Sequence, residues 1–267
     1  MASLFFFFFC QLLLGLGRSF VAGAGQVPAM FVFGDSLVDP GNNNQLLTMA
    51  KANFRPHGID FPEGPTGRFC NGGTVVTKLQ CNNTRTKSFE YTPEAFTNLL
   101  IQQFGRQLKD LYDLGARKFL IVNISPIGCI PSQLALQGSD KGACVESVNQ
   151  MASVYNRKLK EMVDQYNELL KESTFLYWDV FSFAFNVIEN YANYGFKNQN
   201  TACCGGGEWN GRVLCLPVFS PCQNRSEYVF WDPFHPTDAF NVIMSKEAYQ
   251  GNLQASFPRN VQQLVES

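Results

Sequence analysis

The chain contains two histidines among its 267 residues, so few side chains can act as a general base near neutral pH. His235 lies in segment 231–236 (WDPFHP), where two prolines and two aromatic residues predict a tight loop before a helix. Asp232, three residues earlier, can fold back to accept a hydrogen bond from the imidazole, which orients the ring and stabilises its charged form. A serine hydroxyl at the other ring nitrogen would complete a nucleophilic triad.

Ser36 is the best candidate for that hydroxyl. It follows the apolar run 27–33, which predicts a buried strand, and it lies in the turn formed by Gly34, Asp35 and Ser36. The order Ser, Asp, His is one of several that convergent hydrolases use. Each piece has a structural alternative, since a Gly-Asp-Ser tripeptide is common in turns and Asp-x-x-His also occurs where a helix begins beside a structural histidine.

The other polar candidates favour structural roles. His57 lacks a locally paired acidic residue and is interpreted as a loop residue. Asp35 and Asp39 could form a metal pair, but no His or Glu clusters near them, so we interpret them as turn-forming residues. The sequence therefore predicts no metal and no cofactor.

Alternating strands and helices must position these residues. The predicted elements are a strand over 27–33, a helix that begins at Pro93 behind the N-cap Thr92 and ends at Gly115, a strand over 118–124, a long amphipathic helix over 148–170, a strand over 175–180 and a final helix over 237–249. This order predicts an α/β fold with a parallel sheet flanked by helices. Ligand chemistry is then expected at the carboxyl ends of the strands, where Ser36 lies.

Composition and the N-terminal segment limit the class of protein. The chain is 45% hydrophobic and 16% charged with a formal charge of -1, which is typical of a soluble globular domain and disfavours a nucleic-acid partner. An apolar block over 4–16, followed by small residues at 22–24, predicts a secretory leader over 1–24 and a single domain over 25–267. The block is shorter than a membrane span of roughly 20 residues. A buried N-terminal strand is the alternative.

Cysteine usage agrees with export, because eight of the nine cysteines lie outside the leader and an even number in an exported chain predicts disulfides. The adjacent Cys203 and Cys204 cannot easily bond to each other. We expect bridges from Cys129 to Cys144 and from Cys203 and Cys204 to Cys215 and Cys222 in either order, with Cys70 and Cys81 free or paired together. A zinc site at the 203–222 cluster is the disfavoured alternative, because paired C-x-x-C spacing is absent.

Three Asn-x-Ser/Thr sequons are present. Asn82 and Asn224 lie in polar stretches and are predicted glycan sites. Asn123 is disfavoured because it lies in an apolar run and is followed closely by a proline.

Residues 31–43 (FVFGDSLVDPGNN) resemble the first block of the plant GDSL esterase/lipase family, a branch of the SGNH hydrolases, and 232–236 (DPFHP) resemble its last block. Further similar stretches are 58–62 (GIDFP), 64–69 (GPTGRF), 128–131 (GCIP) and 202–205 (ACCG). The resemblance spans 28–76 and 91 to about 251. It implies a flavodoxin-like three-layer sandwich and a secreted, extracellular enzyme that hydrolyses small-molecule or lipid carboxylic esters. Ser36 would be the nucleophile and an oxyanion-hole donor through its backbone N–H, His235 the base and Asp232 its orienting partner.

Two family blocks expected between Ser36 and the Thr92 helix are not found. One carries an oxyanion-hole glycine and the other is a strand ending in Gly-x-Asn-Asp, whereas segment 77–90 (TKLQCNNTRTKSFE) is polar and unlike the family. The resemblance therefore implies that a central strand is missing and that the Ser36 N–H is the remaining oxyanion donor. Asn71, Gly72 and Gly73 belong to a different family segment and are not assigned as replacements.

Three hypotheses follow. The first is a secreted serine ester hydrolase whose turnover is reduced by the lost donors. The second is a catalytically inactive secreted binding or decoy protein that keeps the triad. The third, a metal-dependent phosphoesterase, is disfavoured because the chain has two histidines and no ligand cluster.

Overall fold

The computed structural model describes residues 31–32, 34–48, 50–75, 93–137 and 140–267. The predicted leader, the N-cap Thr92, Cys81, Asn82 and the whole of segment 77–90 lie outside the described residues, as does nearly all of the strand predicted over 27–33.

The described helices and strands follow the predicted alternation. They are α1 (Pro93–Asp113), β1 (Lys118–Val122), α2 (Pro131–Gln137), α3 (Glu146–Leu169), β2 (Thr174–Trp178), α4 (Val180–Glu189), α5 (Asp238–Gln250), β3 (Ser256–Phe257) and α6 (Val261–Glu266), with short 3-10 turns between them. The two internal strands and the three long helices lie within a few residues of their predicted bounds. Pro93 begins α1 as expected, and Gly115 ends it with φ 104°, because a residue with a side chain rarely adopts that left-handed conformation.

The described sheet contains one parallel and one antiparallel pair. β1 and β2 run parallel, with Lys118 opposite Thr174, so the predicted parallel pairing is confirmed. β3 adds a two-residue antiparallel edge to β2, which the sequence did not predict. Of the strand predicted over 27–33 the structure describes residues 31–32, which are not in a strand, and the segment around the proposed loss of a central strand lies outside the described residues.

Helices cover both faces of this sheet, which gives the predicted three layers. Side chains of a strand alternate between faces, so successive residues of β2 enter two different cores. Phe175 and Tyr177 pack with α1 and α3, whereas Leu176 and Trp178 pack with α4, α5 and α6. Burial on both faces explains why these strands are nearly continuous apolar runs in the sequence.

Asn123 joins the carboxyl ends of β1 and β2. Its amide nitrogen donates to the Tyr177 hydroxyl at 2.9 Å and to the Asp179 carboxylate at 2.8 Å, and its side-chain oxygen accepts from the Phe181 N–H at 3.0 Å. The Asp179 carboxylate also accepts from the Ser182 N–H and caps α4. Asn123 is therefore a buried structural residue, and its sequon is inaccessible in the folded chain.

Three predicted disulfides are present, and the structure decides the order that the sequence left open. They are Cys129–Cys144, Cys203–Cys222 and Cys204–Cys215. Since all four cysteines of the 203–222 cluster are oxidised in pairs, the zinc alternative for that cluster is wrong. Cys70 is free and buried.

None of the helices in the described ranges is both long enough and apolar enough to cross a bilayer.

We predict that Asn224 carries an N-glycan when the chain passes through the secretory pathway and that Asn123 does not. Asn224 is exposed in a turn with Ser226, whereas the Asn123 amide nitrogen is buried and already bonded. Enzymatic deglycosylation in ¹⁸O water followed by peptide mapping should label residue 224 and leave 123 unlabelled. Ser226→Ala is the control that should remove the label, and a glycan on Asn123 would contradict the prediction.

Candidate active site

The loop before α5 is folded back onto the Asp232 side chain. Asp232 Oδ1 accepts hydrogen bonds from the N–H groups of Phe234 at 2.8 Å and of His235 at 2.9 Å. The Trp231 N–H donates to the His235 carbonyl at 2.7 Å, and the Ser132 N–H donates to the Pro233 carbonyl at 2.9 Å. Asp232 thereby fixes the backbone of the same loop that carries His235.

His235 lies between Asp232 and Ser36. Its Nδ1 is 2.8 Å from Asp232 Oδ1 and 2.9 Å from Oδ2, and its Nε2 is 2.6 Å from Ser36 Oγ. Asp232 and His235 are buried, whereas Ser36 is partly exposed. The structure thus brings together all three residues selected from the sequence, although Ser36 and His235 are 199 positions apart.

The Asp232 carboxylate is ionised at neutral pH. Burial alone would raise its pKa, but the adjacent His235 imidazole and the N–H of Phe234 outweigh burial and hold the pKa of Asp232 below its usual value. An ionised Asp232 accepts the Nδ1 proton of His235. The Nε2 lone pair then faces Ser36, which is the tautomer that a general base requires.

Asp35 and Asp39 shape the turn around Ser36 as the sequence predicts. Asp35 Oδ1 accepts from the Leu37 N–H at 3.0 Å, and Asp39 Oδ1 accepts from the N–H groups of Gly41 and Asn42 at 2.8 and 2.7 Å. In the described ranges no cluster of three His, Cys, Asp or Glu side chains could hold a metal ion. Within those ranges no group accepts a hydrogen bond from the Ser36 N–H.

Segment 58–73 forms a second wall of the site. Asn71 Oδ1 accepts from the Asp238 N–H at 2.9 Å, and Asp238 Oδ1 accepts from the Gly73 N–H at 2.6 Å, so this segment is fixed to the start of α5. A Cβ on Gly72 would lie 2.8 Å from the Asp238 carboxyl carbon, which is why a glycine is needed there. Asn71 Nδ2 donates to Asp60 Oδ2 at 2.9 Å and the Gly73 N–H donates to Asp238, so both of these donors already have acceptors.

Burial raises the pKa of the Cys70 thiol in the same wall to about 12. Cys70 Sγ lies 3.4 Å from the Pro236 carbonyl oxygen, directly after His235 in the chain. The thiol is therefore neutral and has a packing role beside the loop rather than a nucleophilic one.

His57 lies behind the loop and contacts it through Trp231, whereas the sequence predicted no contact between His57 and the site. Its Nδ1 accepts a hydrogen bond from Trp231 Nε1 at 3.1 Å, and its ring also bonds to the backbone of Cys215. Burial lowers the pKa of His57, mainly because an imidazolium would lose its hydration there. Spacing could not reveal this contact, since His57 and Trp231 are 174 positions apart.

Comparison with known proteins identifies the family. A family model described as GDSL-like Lipase/Acylhydrolase matches residues 80–248. GDSL esterase/lipase At1g71691 of Arabidopsis thaliana is 35% identical over 335 residues of alignment, covering 91% of this chain and 87% of the relative. The chain belongs to this family. GDSL esterase/lipases At1g71250 and At4g16230 of the same plant are 34% and 33% identical, covering 92% and 97% of this chain and 91% and 97% of themselves.

Membership makes this GDSL protein a carboxylic ester hydrolase with the family's α/β fold, as the sequence resemblance implied. The residues matched by the family model include Asp232 and His235. Ser36 precedes the matched range, so its place in the site depends on the geometry described above.

We predict that His57 makes the folded GDSL protein less stable in mild acid. Because burial lowers the pKa of His57 below its ordinary 6.5, the unfolded chain binds a proton at this residue at pH values where the folded chain does not. Stability therefore decreases as the pH falls from about 6.5 toward the pKa of the folded state, and this loss is absent above that window.

His57→Gln tests this prediction, because glutamine can accept from Trp231 and donate to the Cys215 carbonyl but does not titrate. In urea unfolding followed by tryptophan fluorescence, the free energy of unfolding of the wild type should fall more steeply than that of His57→Gln between about pH 7 and about pH 5. Curves that remain parallel across this range would contradict the assignment.

Proposed function

We propose that this chain is a secreted serine esterase. Ser36 is the nucleophile, His235 is the general base, and Asp232 orients the imidazole and stabilises its charged form. The single observation that carries the proposal is His235, whose two ring nitrogens lie 2.8 Å from Asp232 and 2.6 Å from Ser36. A buried carboxylate, an imidazole and a partly exposed hydroxyl in this order are the arrangement that activates an alcohol for acyl transfer.

The reaction proceeds in two halves. Ser36 Oγ attacks the ester carbonyl carbon while its proton passes to His235 Nε2, and the resulting imidazolium is stabilised by Asp232. The tetrahedral intermediate collapses, the alcohol leaves with the proton from His235, and the acyl group remains on Ser36. A water molecule then loses a proton to His235 and attacks the acyl carbon, which releases the carboxylic acid and restores the Ser36 hydroxyl.

Apolar side chains beside the nucleophile and the base favour an ester with an apolar part. Leu37 directly follows Ser36 and is 38% exposed, and Phe234 directly precedes His235 and is 42% exposed. Both side chains are partly exposed beside the reacting groups, so both are available to contact substrate. The proposed substrates are small-molecule or lipid esters, and the chemistry requires no cofactor.

We further propose that turnover is low because two oxyanion donors are missing. The Ser36 N–H, which has no acceptor among the described residues, would bind the oxyanion, whereas the family's glycine and Gly-x-Asn-Asp blocks are not found in segment 77–90. The alignment with the first Arabidopsis relative runs over 335 residues, and this chain has 267, so at least 335 - 267 = 68 positions of that alignment face gaps in this chain. A gap of that size supports an internal loss.

Secretion is proposed from the leader over 1–24, which leaves one domain over 25–267. The three disulfides support it, because such bonds persist in oxidising compartments outside the cytosol.

The missing donors also favour a second candidate, a secreted protein that binds esters without hydrolysing them. In that case the triad would persist as a binding surface, and Ser36 would remain reactive toward a strong electrophile but would not turn over an ester.

We predict that an alkyl fluorophosphonate probe labels Ser36 and that Ser36→Ala abolishes both labelling and hydrolysis of a short p-nitrophenyl ester. The reason is that, among the described residues, the Ser36 hydroxyl is the one bonded to Nε2 of His235, which would remove its proton. Ser153→Ala, at a helix serine bonded to the Asn149 carbonyl, is the matched control and should keep both properties. Hydrolysis that survives Ser36→Ala would contradict the triad, and labelling without any Ser36-dependent hydrolysis would favour the binding protein.

We predict that restoring the two family blocks in place of 77–90 raises kcat strongly. Removal of one oxyanion donor typically costs roughly 10²–10³ in rate, and two donors are absent. A chain with a Gly-Ser linker of equal length at the same position is the control and should remain slow. Equal turnover by the restored chain and the linker control would contradict the oxyanion argument.

A further inference from the structure

The imidazole of His235 has a benzene ring against one of its faces. The Phe69 and His235 ring centroids are 4.9 Å apart with an interplanar angle of 30°, so the rings are stacked. Phe234 lies farther away, at 6.1 Å and 62°, and presents an edge. Phe69 is therefore the aromatic side chain in face-to-face contact with the proposed base.

Phe69 is held in place from behind. The His57 ring meets Phe69 in a T-shaped contact at 5.9 Å, and His57 is itself packed against Phe54 at 5.3 Å and hydrogen-bonded to Trp231. The next residue, Cys70, accepts a backbone hydrogen bond from the Gly58 N–H at 2.8 Å. The direct contact with His57 and the Gly58–Cys70 hydrogen bond fix the ring plane of Phe69, so its stacking on His235 is built into the wall formed by segment 58–73.

A stacked aromatic face acts differently on the two charge states of an imidazole. The face of a benzene ring carries partial negative charge, so it attracts a cation placed over it within about 6 Å. A neutral imidazole gains little from this attraction. The imidazolium that forms when His235 takes the Ser36 proton is attracted more strongly to the ring face. An interaction that is stronger in the transition state than in the ground state raises kcat.

We propose that Phe69 is a positioning residue for His235, which holds the imidazole plane toward Ser36 and stabilises the imidazolium formed during acyl transfer. This inference rests on the proposed role of His235 as general base. An aliphatic side chain of similar size would fill the space and limit rotation of the ring, but it would not favour the cation.

The charged and titratable groups around His235 must be held constant in any test. Asp232 bonds to Nδ1, and Ser36 bonds to Nε2. His57 lies behind Phe69 and is kept neutral by burial, which lowers its pKa. Cys70 lies beside the loop as a neutral thiol, and Asp238, at the start of α5, is bonded to the Gly73 N–H. Substitution of Phe69 removes none of these ionisable groups, and the His57 ring, which contacts Phe69, is followed through its own NMR signal.

The chain has two histidines, so NMR of the full chain with ¹³C-labelled histidine gives two ring signals. His57→Gln removes one signal and thereby assigns the other to His235. In Phe69→Leu the midpoint of the His235 ring titration should move toward acid by about half to one pH unit. The rate constant for fluorophosphonate labelling of Ser36 on its high-pH plateau should fall about three- to tenfold. Phe69→Tyr, which keeps the ring, should restore both values.

Phe54→Leu is the matched control, since it removes a ring from the same cluster that does not touch His235. It should leave the His235 titration unchanged. Tetrafluorophenylalanine at position 69 keeps the ring shape but weakens the negative face, so it should reproduce the acid shift even if Phe69→Leu does not fold. A folded Phe69→Leu or fluorinated chain whose His235 midpoint equals that of the wild type would overturn the inference. This midpoint is independent of turnover, whereas failure of the proposed function would appear as hydrolysis that survives Ser36→Ala.

Discussion

The site depends on one carboxylate, Asp232, which organises the loop and the base together. Its Oδ1 accepts from the backbone N–H groups of Phe234 and His235 and from His235 Nδ1. The carboxylate that bonds to the imidazole therefore also fixes the backbone that carries the imidazole. A buried carboxylate is costly unless it is fully hydrogen-bonded. Here the donors to Asp232 are the loop backbone and the His235 ring themselves. The same hydrogen bonds therefore stabilise the loop and orient Nε2 of His235.

Two independent parts of the chain hold this loop from outside. On one side, segment 58–73 bonds to the start of α5 through Asn71 and Gly73. On the other side, the Cys204–Cys215 disulfide fixes the backbone carbonyl to which His57 bonds, and Cys204 itself donates its N–H to the Trp231 carbonyl at 2.8 Å. The cysteine-rich region therefore stabilises the loop of the site, and its role in this chain is structural rather than metal-binding.

In the proposed function, a complete triad is compatible with slow turnover, because proton removal from Ser36 and stabilisation of the oxyanion depend on different groups. Proton removal from Ser36 needs His235 and Asp232, which the loop supplies. Charge development on the substrate oxygen needs preorganised donors as well, and the resemblance implies that two of these belong to blocks that segment 77–90 does not contain. Because the two requirements are met by separate segments, one can be lost while the other is retained.

The sequence by itself determined the local features of this protein. Apolar runs located β1 and β2, amphipathic spacing and Gly115 located the helices, and the WDPFHP segment identified Asp232 and His235, because each of these signals is contained within a few consecutive residues. The disulfide partners of the 203–222 cluster were limited to two arrangements by the adjacency of two cysteines.

Tertiary structure alone decided the contacts between distant segments. The order of the disulfides, the antiparallel edge β3, the hydrogen bond between Trp231 and His57 and the stacking of Phe69 on His235 all join residues whose separation in sequence carries no periodic or spacing signal. Local propensity acts over one or two turns of backbone, whereas these contacts follow from how the layers pack around the sheet. The candidate site residues were therefore readable from short motifs, whereas the packing that supports them was not, because packing is a property of the whole fold.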